Sequence, residues 1–232
     1  MDIKKHDGKS LSFLTAEPDD FNASSILPII VLLHGYGSHM GDLVGLSEFI
    51  GADRYIFAFP NAPFSLGDIY GYSSFAWAEI EENMGSTANI GEMLKESEQR
   101  LEYFFEDLKS LYSIESGNMV LGGFSQGAIM TYGFGLPRPD EFSGLVALSG
   151  RIQNQDQLNT QLPKDRSQDL FIAHGSTDMV IPVGQGREAS RFLEECGYLP
   201  KYHEYQMGHE INEAVISDLS NWISCIFDQR DH

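Results

Sequence analysis

The apolar residues of the chain follow two kinds of pattern. Short uninterrupted runs predict buried strands, whereas apolar positions three or four residues apart predict helices with one buried face. Strand-type runs occupy residues 29–33, 55–59, 118–124, 142–148, 170–173 and 202–205. The helical pattern occupies residues 41–50, 92–112, 128–132, 184–196 and 211–227. Because strands and helices alternate, we expect one α/β domain over residues 1–232, with a mostly parallel sheet and helices on both faces.

Residues 61–91 follow neither pattern. The segment contains four glycines and several aromatic residues between Phe64 and Trp77, without a sustained period. Connections of this length without regular structure are uncommon in compact domains and usually have a function. Its aromatic and aliphatic side chains supply more apolar area than an exposed loop should carry. We therefore interpret the segment as a lid or pocket loop.

The net charge of the chain limits the kinds of partner that it can bind. The 232 residues include 15 Lys and Arg against 34 Asp and Glu, which gives a net charge of −19. A chain this acidic repels phosphate backbones and anionic lipid surfaces, so we expect no nucleic-acid partner. The longest apolar stretch, 26–33, contains Pro28 and is far shorter than the ~20 residues of a membrane helix, so we expect no membrane insertion.

The cysteines and the N-terminal residues indicate a compartment. Cys196 and Cys225 are too few for a disulfide framework, and we expect both to be buried, reduced side chains. Residues 1–10 carry several charges and no apolar run follows them, so a secretory signal is not expected. These features predict a cytoplasmic protein.

Residues 123–127 read G-F-S-Q-G and match the pattern G-x-S-x-G. The small flanking residues of that pattern allow a strained turn between a strand and a helix, which exposes the serine hydroxyl. The match alone is weak, because a glycine-rich turn can contain a serine by chance. Here apolar residues 119–121 precede it and a helical pattern follows, as the mechanism requires. Ser125 is therefore the candidate nucleophile.

A serine hydroxyl becomes a good nucleophile when an imidazole takes its proton and a carboxylate orients that imidazole. In folds of this type the acid and then the histidine follow the serine along the chain, each after a strand. Asp178 follows the predicted strand 170–173, and His209 follows the predicted strand 202–205. Asp178 and His209 are therefore the candidate acid and base.

The other histidines have a simpler interpretation. His34 lies in the turn after a predicted strand, and we favour a structural hydrogen-bonding role over a role as base. His174 receives the same interpretation. No His, Asp or Glu group has metal-ligand spacing, and no glycine-rich phosphate loop is followed by a lysine. We therefore expect no metal and no cofactor.

Five short motifs carry a resemblance that spans nearly the whole chain. They are LHGYGS at 33–38, FPNAP at 59–63, GGFSQGA at 122–128, HGSTDMVIP at 174–182 and MGHE at 207–210. In these motifs and their order the sequence resembles the phospholipase/carboxylesterase family of α/β-hydrolases, which includes acyl-protein thioesterases and small bacterial carboxylesterases. It departs from the family pattern between Pro63 and Trp77, and at Gln206, where a proline is common.

The resemblance implies an α/β-hydrolase fold with Ser125, Asp178 and His209 as the catalytic triad. It further implies an oxyanion hole formed by the backbone N–H groups of Tyr36 and Gln126. Since the family segment that matches 61–91 shapes the acyl pocket, we expect Leu66 and Trp77 to bind substrate. Val180, in the loop after Asp178, is a third expected contact. An equally open alternative is that Trp77 anchors the loop to the core.

The expected activity is hydrolysis of short- to medium-chain carboxylic esters through an acyl-enzyme, with small-molecule esters as substrates. An alternative is lysophospholipase or acyl-protein thioesterase activity. An alternative of another class is a non-catalytic, hydrolase-like protein that uses the pocket for binding. Relatives of this kind are often dimers, so a homodimer is a further expectation.

Overall fold

The structure is a computed structural model that describes residues 1–22, 25–69, 72–79 and 88–228. Within these ranges, eight strands form the central sheet. Along the chain they are β1 (Asp2–Asp7), β2 (Ser12–Glu17), β3 (Ile29–Leu33), β4 (Ile56–Pro60), β7 (Met119–Phe124), β8 (Gly144–Leu148), β9 (Asp169–Gly175) and β10 (Lys201–Tyr205). Their order in the sheet is β1-β2-β4-β3-β7-β8-β9-β10. The pairs from β4 to β10 are parallel, and β1 and β2 join that edge antiparallel.

Helices pack on both faces of the sheet. They are α1 (Leu46–Gly51), α2 (Ala88–Leu111), α3 (Gln126–Met130), α4 (Gln155–Gln161), α5 (Val183–Glu195) and α6 (Glu213–Asp228), with a π-helical turn at Thr131–Gly135. No helix in the described ranges is long and apolar enough to cross a membrane.

Strand β3 lies in the middle of the sheet and needs a layer of helices on each face to bury its side chains. All five of its residues are buried. Because side chains alternate across a strand, Val31 belongs to the buried cluster that contains Phe104 of α2, and Leu32 belongs to the second buried cluster, which contains Leu219 of α6. The expected mostly parallel sheet with helices on both faces is therefore confirmed.

The expectation of an irregular loop over 61–91 is wrong for part of the segment. Strands β5 (Phe64–Ile69) and β6 (Tyr72–Ala76) form an antiparallel hairpin, and α2 begins at Ala88. A register shift between Ser65 and Gly67, where Gly67 has φ +81°, interrupts the alternation that would have indicated a strand. Residues 70–71 and 80–87 lie outside the described part.

Three further elements have no counterpart in the sequence prediction. They are β1, β2 and the short helix α4. β1 is an edge strand with mostly exposed residues, so it lacks the apolar alternation that identifies a half-buried strand.

The expected burial of both cysteines is incorrect. The two are free thiols, as expected, but Cys196 is partly buried and Cys225 is exposed.

Candidate active site

Ser125 occupies a sharp turn between β7 and α3. Its backbone has φ 56° and ψ −114°, a conformation that a residue with a side chain rarely adopts. The two glycines of the motif are required by close approach. A Cβ at Gly123 would lie 2.2 Å from the carbonyl carbon of Gly127, and a Cβ at Gly127 would lie 2.0 Å from the carbonyl oxygen of Leu33. The packing of this turn against β3 therefore fixes where the serine side chain lies.

The structure brings together the three residues expected to form the triad. His209 Nε2 lies 2.8 Å from Ser125 Oγ, and His209 Nδ1 lies 2.7 Å from Asp178 Oδ2. The three residues follow β7, β9 and β10, so they meet at the carboxyl edge of the sheet. A carboxylate only accepts hydrogen bonds, so Nδ1 carries the proton and Nε2 is the atom that can take the serine proton.

The carboxylate of Asp178 is buried and accepts several hydrogen bonds. Burial by itself raises the pKa of this carboxyl, but hydrogen bonds from His209 and from the N–H groups of Ile181 and Val180 outweigh it and leave the pKa below its usual range. Both backbone hydrogen bonds reach Oδ1 at 2.8 Å. The acid therefore stays ionised near neutral pH and has a fixed orientation.

His174 supports the loop that carries Asp178. Its side chain is fully buried, and its Nε2 donates to the carbonyl oxygen of Ile181 at 2.8 Å. The same nitrogen lies 3.6 Å from Asp178 Oδ2. Its other nitrogen faces Gly186, where an added Cβ would lie 2.6 Å away. His174 thus fills a structural position, as the sequence interpretation proposed.

The turn that follows β3 lies directly against the nucleophile. A Cβ at Gly35 would lie 3.4 Å from the Cβ of Ser125. Two main-chain hydrogen bonds to β6 hold the turn: Gly37 N–H donates to the carbonyl of Phe75 at 2.9 Å, and Phe75 N–H donates to the carbonyl of Ser38 at 2.8 Å. Tyr36, an expected oxyanion donor, is therefore in a turn that the β5–β6 hairpin holds in place.

His34 is a hydrogen-bonding residue of that turn. It is buried, its Nδ1 lies 2.7 Å from the carbonyl oxygen of Gly35, and its Nε2 accepts from the N–H of Ala62 at 3.0 Å. Burial lowers the pKa of His34 to about 4, so its ring is neutral at physiological pH. Both ring nitrogens are engaged by the backbone, which leaves neither available to act as a base.

Trp77 is a core residue, so the structure favours the alternative in which it anchors the loop over the expected substrate contact. Its side chain has no exposed surface, and its Nε1 donates to the carbonyl oxygen of His34 at 2.9 Å. Its backbone N–H donates to Gln126 Oε1 at 2.7 Å, and its carbonyl accepts from Ser97 Oγ at 2.6 Å. The indole therefore anchors the segment after β6 beneath the turn at His34.

Sequence reasoning missed the side chain of Gln126. The sequence pointed only to its backbone N–H, but its amide also accepts from the N–H of Trp77 and donates to the carbonyl of Ala78, each at 2.7 Å. These bonds fasten the residue after the nucleophile to the segment after β6. A glutamine directly after the candidate nucleophile was the available signal.

The two other expected substrate contacts lie on different elements. Leu66 is half-buried on β5 of the hairpin. Val180 exposes 67% of its surface, and its N–H holds Asp178. Within the described ranges, no group of three or more His, Cys, Asp or Glu side chains could hold a metal ion.

Comparison with known sequences places the chain among hydrolases. A model of the phospholipase/carboxylesterase family matches residues 22–227. The acyl-protein thioesterase 1 of Kluyveromyces lactis is 29% identical over 211 residues, which is 84% of this chain and 90% of that protein. The acyl-protein thioesterase 1 of Candida albicans is 28% identical over 223 residues, covering 90% and 96% of the two chains.

Solved structures agree in fold. The crystal structure of esterase PE8 superposes with a TM-score of 0.82 at 26% identity, covering 94% of this chain and 99% of that one. The Bacillus cereus carboxylesterase has a TM-score of 0.74 at 17% identity, with 94% and 96% of the chains covered, and this likeness shows the fold alone. The fold is the α/β-hydrolase fold.

Proposed function

The chain belongs to the phospholipase/carboxylesterase family of serine hydrolases, and from that premise we propose that it hydrolyses short- to medium-chain carboxylic esters. The observation that carries the proposal is the pair of hydrogen bonds from Ser125 through His209 to Asp178, at 2.8 and 2.7 Å. This arrangement activates a serine hydroxyl for attack on a carbonyl carbon.

The proposed reaction has two halves. Ser125 Oγ attacks the carbonyl carbon while its proton passes to His209 Nε2, and the imidazolium then gives that proton to the departing alcohol oxygen. In the second half, water attacks the acyl carbon while His209 takes its proton. The bond between the acyl carbon and Ser125 Oγ then breaks, the imidazolium returns the proton to Oγ, and the carboxylic acid leaves. The backbone N–H groups of Tyr36 and Gln126 stabilise the tetrahedral oxyanion, and removing one such donor typically costs about 3–4 kcal/mol of transition-state stabilisation.

For the acyl chain we propose a cavity of about 360 Å³ that Ile129 and Met130 of α3 line, four and five residues after Ser125 along the chain. None of the triad residues is among its lining residues. Ile152 adds an apolar wall, but Lys95 and Glu98 also line the cavity. Since an alkyl chain gains little from contact with charged groups, we expect this polar wall to limit the length of chain that fits.

A panel of esters that share one alcohol and differ in acyl length tests the proposal. The protein should hydrolyse the panel with an optimum at short to medium length, and the matched Ser125→Ala variant should be inactive toward every member. A fluorophosphonate probe should label the serine of the wild type and leave Ser125→Ala unlabelled. Folded wild-type protein that neither reacts with the probe nor hydrolyses any ester would instead be a non-catalytic binding protein.

Thioester hydrolysis is the second candidate, because the relatives from Kluyveromyces lactis and Candida albicans are named acyl-protein thioesterases. We rank it below ester hydrolysis because acylated proteins are held at membranes, and a net charge of −19 gives no electrostatic attraction to an anionic surface. Paired oxygen esters and thioesters with the same acyl group distinguish the two candidates. A thioester preference that exceeds the intrinsic reactivity difference of each pair would reverse the ranking.

A further inference from the structure

His209 lines an open pocket that is distinct from the cavity at Ile129. This pocket has a volume of about 340 Å³ and an apolar lining that includes Leu46 and Phe49 of the α1 region and Ile211, which precedes α6. Phe124, the residue before the nucleophile, also lines the pocket, with its ring centroid 4.8 Å from that of His209. We call this the His209 pocket.

The chemistry of acyl transfer indicates what the His209 pocket can hold. When the tetrahedral intermediate collapses, the protonated imidazole gives its proton to the leaving group. The leaving-group oxygen must therefore lie within hydrogen-bonding distance of His209 Nε2. A substituent on that oxygen can then extend into the pocket that His209 lines together with Phe124 and Ile211.

Two carboxylates give this pocket a negative charge. Asp42 and Glu210 both line it, and no lysine or arginine is found among its described lining residues. Glu210 accepts a long hydrogen bond of 3.4 Å from the N–H of Gly208. Within the part of the chain that the structure describes, neither carboxylate forms an ion pair.

An exposed aromatic ring adds to the negative potential. Phe49 exposes 68% of its surface at the pocket. The face of an aromatic ring attracts a cation, and the effect adds to that of nearby carboxylates. A leaving group with an apolar body and a positive charge therefore fits both the walls and the charges of the His209 pocket.

We propose that the His209 pocket is the leaving-group subsite and that it selects esters of cationic, apolar alcohols, such as amino alcohols, over neutral or anionic ones. This inference rests on the proposed ester hydrolysis at Ser125. It names the half of the substrate that the acyl-length panel leaves constant.

Butyrate esters of alcohols with matched shape test the inference. Butyrylcholine carries a quaternary ammonium group, and 3,3-dimethylbutyl butyrate is its neutral isostere. The measured quantity is the ratio of kcat/KM for the cationic ester to kcat/KM for the neutral one. This ratio is compared between the wild type and each variant. A change in the reactivity of His209 affects both esters equally and therefore does not alter the ratio.

Asp42→Asn and Glu210→Gln should each lower the ratio by about two- to fivefold, and the double variant should lower it further. Glu48→Gln is the matched control, because this exposed carboxylate of α1 does not line the pocket; its ratio should equal that of the wild type. Phe49→Ala should lower kcat/KM for both bulky esters relative to methyl butyrate. In the wild type, raising NaCl from about 50 to about 500 mM should reduce the ratio by screening.

An equal ratio in the wild type and in the double variant would overturn the charge selection while leaving the proposed function intact, provided that Ser125→Ala is inactive. Bulky alcohols that react no differently in Phe49→Ala would overturn the placement of the leaving group. A wild type that hydrolyses neither ester nor the acyl-length panel would overturn both the inference and the proposed function.

Discussion

Replacing Trp77 by phenylalanine tests whether this residue supports the catalytic turn or shapes the substrate pocket. The change removes the indole N–H, which donates to the carbonyl oxygen of His34 at 2.9 Å. That carbonyl belongs to a residue that is 1% exposed, so water does not replace the lost donor. The hydrogen bond from the backbone N–H of Trp77 to Gln126 Oε1 remains possible, because it does not involve the ring.

The magnitude of the effect follows from two losses. An unsatisfied buried carbonyl costs about 1–3 kcal/mol, and the smaller ring leaves a cavity that adds to it, for a total of about 2–4 kcal/mol of unfolding free energy. The turn from His34 to Gly37 contains the proposed oxyanion donor Tyr36. Since removing such a donor costs about 10²–10³ in kcat, displacing it should cost about tenfold or more.

The assay combines urea unfolding with kcat/KM for esters from acetyl upward. Trp77→Phe should lower kcat/KM by a similar factor for every acyl length, because the turn serves all of them. Trp222→Phe is the matched control, since Trp222 is also buried but packs on α6 against Phe171, at 5.6 Å between ring centroids. This control should lose stability and keep its turnover.

A shifted acyl-length optimum would refute this reasoning. If Trp77→Phe left acetyl turnover unchanged while the preferred chain became longer, the indole would have to contact the acyl chain. Its complete burial beneath the turn would then not describe the working enzyme.

Further predictions concern the triad, the hairpin, the buried histidine and the net charge. Ser125→Ala and His209→Ala should each abolish nearly all esterase activity in folded protein, and Asp178→Asn should lower kcat by about 10³–10⁴; near-normal turnover of Asp178→Asn would disprove the acid assignment. Leu66→Ala should shift the acyl-length optimum with acetyl turnover unchanged, and an equal loss for all lengths would make Leu66 a structural residue. Because His34 has a pKa of about 4 when folded and about 6.5 when unfolded, the unfolded chain binds its proton first, and stability should fall by up to about 3 kcal/mol from pH 6.5 to pH 4. Urea unfolding of wild type and His34→Gln measures this, and an equal slope in both would contradict it. Added NaCl should raise the Tm by screening the charge of −19, and a falling Tm would count against self-repulsion.

The central strands and the candidate site were predictable because their signals are local. The apolar run 29–33 predicts a buried strand, and the glycines around Ser125 predict a tight turn, each from a few neighbouring residues. Asp178 and His209 each follow a predicted strand. Because parallel strands bring their carboxyl ends to one edge of the sheet, these residues are expected to meet near Ser125.

The elements that were not predictable depend on contacts distant in sequence. Strand β1 is stabilised by pairing with β2, so its exposed side chains carry little signal. The position of Trp77 is set by a carbonyl 43 residues earlier in the chain, at His34. Aromatic composition cannot distinguish a ring that contacts substrate from one that fills the core, since both are apolar.

The β5–β6 hairpin is joined to the turn at Gly35–Ser38 through main-chain atoms of Gly37, Ser38 and Phe75. Any residue other than proline at position 75 can supply that N–H and carbonyl. Side chains on the exposed parts of the hairpin are therefore free to diversify without moving the turn. Evolution or directed selection can use this segment as an exchangeable surface beside an unchanged catalytic apparatus.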